Sequence, residues 1–221
     1  MGTAERRERE KQQRLEDILD AAERVFATKG FTGATMDDIA DAAELSKGTL
    51  YLYFKNKELL YLGIDYRGTA ILYERFSEAV ASEKTGRRQM MAIGMAYIKF
   101  ADDYPLYFKA MAYGERLYAD NIEGICGDPI LEACQAKERE IMELMVGTLI
   151  RGVEDGSVRK DIKPMETSIS LWALSNGIIQ MYTNRGRVVG FQNMGIESPD
   201  FLLEILSDFI DRGLCPVTAL K

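Results

Sequence analysis

Residues 35 to 57, TMDDIADAAELSKGTLYLYFKNK, constrain the fold more than any other stretch of this chain. They divide into two short helices broken at Glu44-Leu45-Ser46, and Asn56 and Lys57 follow at once to open a third. Thr35 is placed to cap the first helix, with Asp38 three residues on to return a hydrogen bond, and Ile39, Ala40 and Ala43 give it a small apolar face. Ser46 is placed to cap the second. Leu50 and Phe54 then share one side at helical spacing, which leaves Lys47, Thr49, Tyr51 and Tyr53 to look elsewhere. Such a helix has one face for a core and another for a partner.

The flanks extend the helical pattern. The first dozen residues are charged and nearly without apolar side chains, as in a frayed arm or helical extension. Leu15, Ile18, Leu19, Ala22, Val25 and Phe26 then repeat at amphipathic-helix spacing, predicting a helix over about 14 to 29 that Gly30 stops and Phe31 packs back upon. A further helix runs from Lys57 to about Ser82. Proline is scarce, with five residues in 221, and no window alternates apolar and polar residues for long enough to demand a strand. The expected fold is therefore all-α: an N-terminal three-helix helix-turn-helix domain over residues 1–56 and a larger helical body over 57–221, about nine helices in total.

Composition removes several chemistries. The absence of histidine rules out Ser-His-Asp and Cys-His nucleophile chemistry and every histidine-containing metal site, and no phosphate-cradling GxxxxGK[ST] loop is present. Neither catalytic residues, nor a metal, nor a cofactor is expected. Cys126, Cys134 and Cys215 show no CxxC spacing and read as free thiols, with Cys126 and Cys134 as the alternative redox pair. Apolar runs fall short of the roughly 20 residues that span a bilayer, and the N-terminus does not resemble a signal peptide, so a cytoplasmic location is expected.

The net charge of −7 repels phosphate at long range, and residues 1–60 hold 10 Lys and Arg against 12 Asp and Glu. Any affinity for nucleic acid must come from where the charges lie. Between Leu45 and Asn56 stand Lys47 and Lys55 with no carboxylate, and Lys57 follows.

The body carries its own pattern. Residues 90–100 form a helix apolar nearly all round, expected to be buried. A helix from Pro105 is expected to end near Gly114, another to run from about Pro129 to Glu154 with Gly156 closing it, and Pro164 and Pro199 to open the last two. Methionines and aromatic residues gather in residues 85–185, and such adaptable side chains suit an apolar pocket as well as a plain core. Candidate pocket residues are Tyr97, Phe100, Tyr104, Phe108, Met111, Met145, Trp172, Asn176 and Gln180. Asn176 and Gln180 supply polar lining, and Lys109 or Arg116 could meet an acidic ligand.

Taken together, residues 18–60, ILDAAERVFATKGFTGATMDDIADAAELSKGTLYLYFKNKELL, resemble the N-terminal signature of the TetR family of bacterial transcriptional regulators. The likeness lies in the AA..VF...G(F/Y) helix, the T..DIA..A block, the SKGTLY.YF helix and the KE.L exit. One departure is Glu44, where the family commonly has glycine in the turn.

A helix-turn-helix places its second helix in the major groove, where base edges are distinguishable. The expected DNA contacts are Thr35, Ser46, Lys47, Gly48, Thr49, Tyr51, Leu52, Tyr53 and Lys57, positions that the resemblance also implies. Lys47 can donate to guanine, Leu52 or the Thr49 methyl can meet a thymine methyl, and Gly48 lets the backbone approach. One head reads few base pairs, so a homodimer on a near-palindromic operator is expected. The dimer surface is assigned to the last two helices through Leu171, Leu174, Ile178, Phe201, Ile205 and Phe209. The resemblance further implies a repressor whose body binds a small, largely apolar effector that moves the fourth helix and changes the spacing of the heads. Two alternatives stay open: a body that binds a protein partner, and a helical small-molecule binder or enzyme with a structural N-terminus.

Overall fold

The computed structural model describes residues 2–120, 125–183 and 199–216, and among them every regular element is an α-helix. The nine described helices are α1 (Thr3–Gly33), α2 (Met36–Ala42), α3 (Lys47–Tyr53), α4 (Lys57–Ser82), α5 (Gly86–Asp103), α6 (Pro105–Asp120), α7 (Pro129–Glu154), α8 (Pro164–Thr183) and α9 (Pro199–Leu214). The chain forms two compact units, residues 1–69 with 106–136, and residues 70–105 with 137–221.

In the first unit, α1 begins well before the expected residue 14. Its polar start is helical, held by side-chain pairs one turn apart: Arg6 to Glu10 at 2.7 Å, Gln12 to Glu16 at 3.1 Å and Gln13 to Asp17 at 3.0 Å. Gly30 breaks the helix as the sequence predicts, in the left-handed region at φ 68° that glycine enters without a Cβ clash. The chain turns back there. Phe26, Phe31 and Tyr61 then meet with ring centroids 4.8–5.8 Å apart. Ile18, Leu19, Ala22, Ile39, Leu50, Phe54, Leu60, Leu62 and Ile64 complete a core from α1 to α4, and each large side chain contributes about 1.5–3 kcal/mol on burial.

Arg67 of α4 supplies a polar counterpart to that core. Its guanidinium bonds Asp20 and Glu23 of α1 at 2.8 Å each and also reaches the Glu16 carboxylate, three residues on one face of one helix. Tyr107 of α6 donates to the same Glu23 at 3.0 Å. Burial works against the Arg67 charge, but the bonds from Glu23, Glu16 and Asp20 outweigh it and raise its pKa. Burial first, and Glu23 second, push the Tyr107 phenol up to about 12.

In the second unit α5, α8 and α9 pack on one another, and α5 also meets α7 at a glycine pair. A Cβ on Gly86 would lie 2.2 Å from the Gly152 nitrogen, so the two backbones touch where neither residue has a side chain. The Asp155 carboxylate secures the joint by accepting from the Gly86 and Ser157 amides, each at 2.8 Å.

Two helices, one in each unit, depart from expectation. Helix α6 does not end near Gly114 but runs to Asp120, because one glycine inside a helical pattern costs only about 1 kcal/mol. Helix α5 is not buried all round: Met95 is 54% exposed, opposite the face that carries Met90, Ile93 and Tyr97. The three cysteines are free thiols, Cys126 exposed and Cys134 and Cys215 buried. No helix among the described residues is long and apolar enough to cross a membrane.

Candidate nucleic-acid interface

The 35–57 segment is held by bonds written into its own sequence. At the start of α2, the Asp38 amide donates to Thr35 Oγ1 at 3.2 Å and the Thr35 amide donates to Asp38 Oδ2 at 3.0 Å, a closed capping box. Lys29 bonds the other Asp38 oxygen at 2.7 Å, and this bond, seconded by Thr35, holds the Asp38 carboxyl below the usual carboxylate range. Ser46 caps α3 by accepting from the Thr49 amide at 3.1 Å, and Asn56 caps α4 by accepting from the Leu59 amide at 2.8 Å.

The turn between α2 and α3 needs a left-handed residue, and Glu44 provides it at φ 55°. The Glu44 amide returns to Asp41 O and the Leu45 amide to Ala40 O, the pair of bonds that normally selects glycine at this position. Glutamate accepts the strain there, and its exposed carboxylate stands between the two helices.

Burial separates the faces of α3 as the spacing predicts, except that Tyr53, expected on the outer face, packs against the core. Leu50 is fully buried and Phe54 nearly so, whereas Tyr51 is 48% and Leu52 84% exposed. An 84% exposed leucine stabilises no core. At Gly48 an added Cβ would meet nothing nearer than Ser46 Oγ at 3.9 Å, so the fold has room for a side chain that the sequence omits. Thr49 and Tyr53 are half-buried, and the Thr49 hydroxyl is bonded to that of Ser46 at 2.8 Å.

Both lysines at the ends of the segment have intramolecular partners. Lys57 Nζ donates to the Phe31 and Ala34 carbonyls at 2.8 and 2.9 Å and sits 4.4 Å from the centre of the Phe31 ring, so its ammonium ties the end of α1 and its cap residue to α4. Lys47 Nζ lies 2.5 Å from Asp37 Oδ2 of α2. The Asp37 hydrogen bond raises the Lys47 pKa, with weaker attraction from Tyr51 and Asp41.

The pocket candidates divide between the units. Tyr97, Phe100, Tyr104, Met145, Trp172, Asn176 and Gln180 belong to the second, Phe108 and Met111 to the first. Tyr97 stacks on Trp172, with centroids 5.0 Å apart and planes 15° from parallel, and its hydroxyl bonds the Asn176 carbonyl. Tyr97, Met145 and Trp172 line a cavity of about 20 Å³. That volume holds about one water molecule, so side chains must move before any effector enters.

Leu171, expected on the dimer surface, is buried and lines the same cavity, and Leu174 and Ile178 are half-buried. Ile205 and Phe209 are exposed, and Met165, Ile169 and Met181, which were not expected on the dimer surface, join them in presenting apolar side chains to solvent. The side chains of Phe201 and Arg116 lie outside the described residues. The Arg67 cluster was also missed. Its signal is the carboxylate stripe Glu16, Asp20, Glu23, spaced to share one cation.

A short capped helix that buries one face and leaves Tyr51, Leu52 and a bare Gly48 outward, set behind a second capped helix, defines a DNA-binding helix-turn-helix. Residues 18–64 match the pattern of the bacterial regulatory proteins, tetR family. The HTH-type transcriptional repressor KstR2 of Rhodococcus jostii (strain RHA1) is 30% identical over 149 residues, 67% of this chain and 70% of that protein. The chain belongs to the tetR family of bacterial transcriptional regulators.

Two solved structures carry the same fold. One is the ketosteroid transcriptional regulator KstR2 of Mycobacterium tuberculosis, with a TM-score of 0.62, 18% identity and coverage of 91% of this chain and 95% of that one. The other is the transcriptional regulator FadR of Bacillus subtilis in complex with stearoyl-CoA, with a TM-score of 0.64, 15% identity and coverage of 88% and 96%.

Proposed function

We propose that this regulator is a repressor that binds a near-palindromic operator as a homodimer and changes its DNA affinity when a small, largely apolar effector occupies the region 57–221. The observation that carries the DNA reading is the outward face of α3. Leu52 and Tyr51 are exposed without structural return, and Gly48 is bare where the fold would accept a side chain. Base contacts are assigned to Lys47, Gly48, Thr49, Tyr51 and Leu52, and phosphate contacts to Thr35, Ser46, Tyr53 and Lys57. Thr35 and Ser46 would reach phosphate through their hydroxyl groups, whose oxygens already cap α2 and α3.

The dimer reading rests on the exposed apolar side chains of α8 and α9, namely Met165, Ile169, Met181, Ile205 and Phe209. A Phe209→Asp variant is expected to weaken dimerisation at least tenfold by sedimentation equilibrium, and an unchanged dimer would reject this surface. The effector reading rests on the Tyr97, Met145 and Trp172 cavity and on similarity to relatives whose names specify ketosteroid regulation or a bound stearoyl-CoA. Asn176 would give such a ligand its polar anchor.

The decisive experiment is selection of bound duplexes from a random pool, repeated with stearoyl-CoA and with a steroid ketone. The expected product is an inverted repeat with half-site centres about 34–36 Å apart, or a multiple of that spacing. Absence of salt-dependent binding to every duplex would reject the function. Because Trp172 is the single tryptophan, a ligand that enters the cavity must also change the intrinsic emission.

A further inference from the structure

The positive charge of the 45–57 segment is unevenly available. Of the three lysines between Leu45 and Lys57, Lys57 keeps its charge while two of its three N–H groups donate to backbone carbonyls, and Lys47 is paired with the Asp37 carboxylate. Lys55 is exposed and has no ion pair among the described residues. The residue best placed to read a base therefore enters the encounter with DNA already neutralised. Its partner stands at the second position of α2, outside the Thr35–Asp38 capping box, so the box does not need Asp37.

We propose that Asp37 is an intramolecular competitor for DNA that reserves Lys47 for base edges; this rests on the reading that α3 enters the major groove. On a duplex that offers Lys47 only phosphate, exchanging carboxylate for phosphate replaces one charge-assisted bond by another of the same kind. It also leaves the Asp37 carboxylate without its lysine in the field of the polyanion, one helical turn from Asp41. The exchange is uphill, and the pair stays closed. A guanine in register adds the O6 and N7 acceptors, and a good base contact of that kind is worth roughly five- to hundredfold in affinity. That gain opens the pair. Lys47 then makes contact with an operator and not with mixed sequence, while Asp37 lowers affinity for both.

The test compares wild type, Asp37→Asn, Lys47→Gln and the double variant on two duplexes: one selected by the wild type from a random pool, and one of mixed sequence. Asp37 is exposed and its replacement is isosteric, and circular dichroism checks that each variant is folded. Freeing Lys47 lets it neutralise one further phosphate on mixed sequence. The slope of log K against log salt should therefore steepen by about one for Asp37→Asn on that duplex. It should stay unchanged on the selected duplex, where Lys47 already sits on a base. Affinity should rise on both, by about threefold on mixed sequence and about tenfold on the selected duplex. Lys47→Gln leaves the Asp37 carboxylate unpaired and should weaken binding to both duplexes, more on the selected one, and in its background Asp37→Asn should no longer steepen the slope.

An identical mixed-sequence slope for wild type and Asp37→Asn, or a steepening that persists with Lys47→Gln, overturns the proposal while leaving DNA binding intact. A wild type that binds no duplex overturns the DNA reading as well.

Discussion

The reading head and the helical body are built on opposite logics. In the head, nearly every turn is fixed by a hydrogen bond between residues close in sequence: Thr35 with Asp38, Ser46 with Thr49, Asn56 with Leu59. In the body, position is fixed by surfaces that meet from far along the chain. Gly86 lies against Gly152, and Gly94 against Leu206 and Ile210. Local bonding gives a rigid element whose outward side chains are presented in one arrangement. Collective packing leaves the Tyr97–Trp172 stack beside a cavity of about 20 Å³, where the proposed effector would require side chains to move.

The comparison breaks first at the core of the head. Leu50 is fully buried in a seven-residue helix, so Leu50→Ala is expected to cost about 2–5 kcal/mol in thermal or urea unfolding. A loss below 1 kcal/mol would mean that α3 is not anchored by its apolar face. Gly86→Ala sets a methyl against the Gly152 backbone and should cost about 1–3 kcal/mol by overpacking. An unchanged melting temperature would show that the α5–α7 joint is loose.

Smaller effects sharpen the contrast. Ser46→Ala should cost about 1 kcal/mol through the lost cap. Gly48→Ala should raise stability by up to about 1 kcal/mol, since alanine is the better helix former and the space is open, yet weaken DNA binding by holding the backbone off the duplex. A stabilised variant with undiminished affinity would remove Gly48 from the interface. A last test uses pH. Because the Tyr107 phenol is held at about 12 in the folded chain against an ordinary value of 10.0, folding favours its protonated form. That contribution is complete below pH 10 and is lost between about 10 and 12. Tyr107→Phe should flatten the alkaline fall in stability over this window; an identical alkaline melting curve would show that Tyr107 does not cause it.

How much of this was readable beforehand follows from the same contrast. Caps at Thr35, Ser46 and Asn56, the stop at Gly30 and the ends of α4 and α7 are local events, and residue type with spacing locates them. The apolar side of α3 was equally legible, because Leu50 and Phe54 lie four residues apart. Lys57 was not, since its carbonyl partners at Phe31 and Ala34 become neighbours only once α1 has turned back at Gly30. Leu171 and Met95 show the limit in the body: hydrophobicity says that a residue is apolar, whereas the packing of three helices decides that Leu171 faces inward and Met95 outward. Arg67 stands between these cases, with a carboxylate stripe visible in α1 and its cation 44 residues beyond Glu23.

The role proposed for the outward face of α3 is to read duplex DNA. Its most direct test is titration of the selected duplex at two salt concentrations with wild type and with a Lys47→Ala, Tyr51→Ala double variant. The predicted result is salt-dependent wild-type binding that falls roughly a hundredfold in the variant, with the variant's fold intact by circular dichroism. Equal affinity of the two proteins would contradict the assignment of this face to DNA.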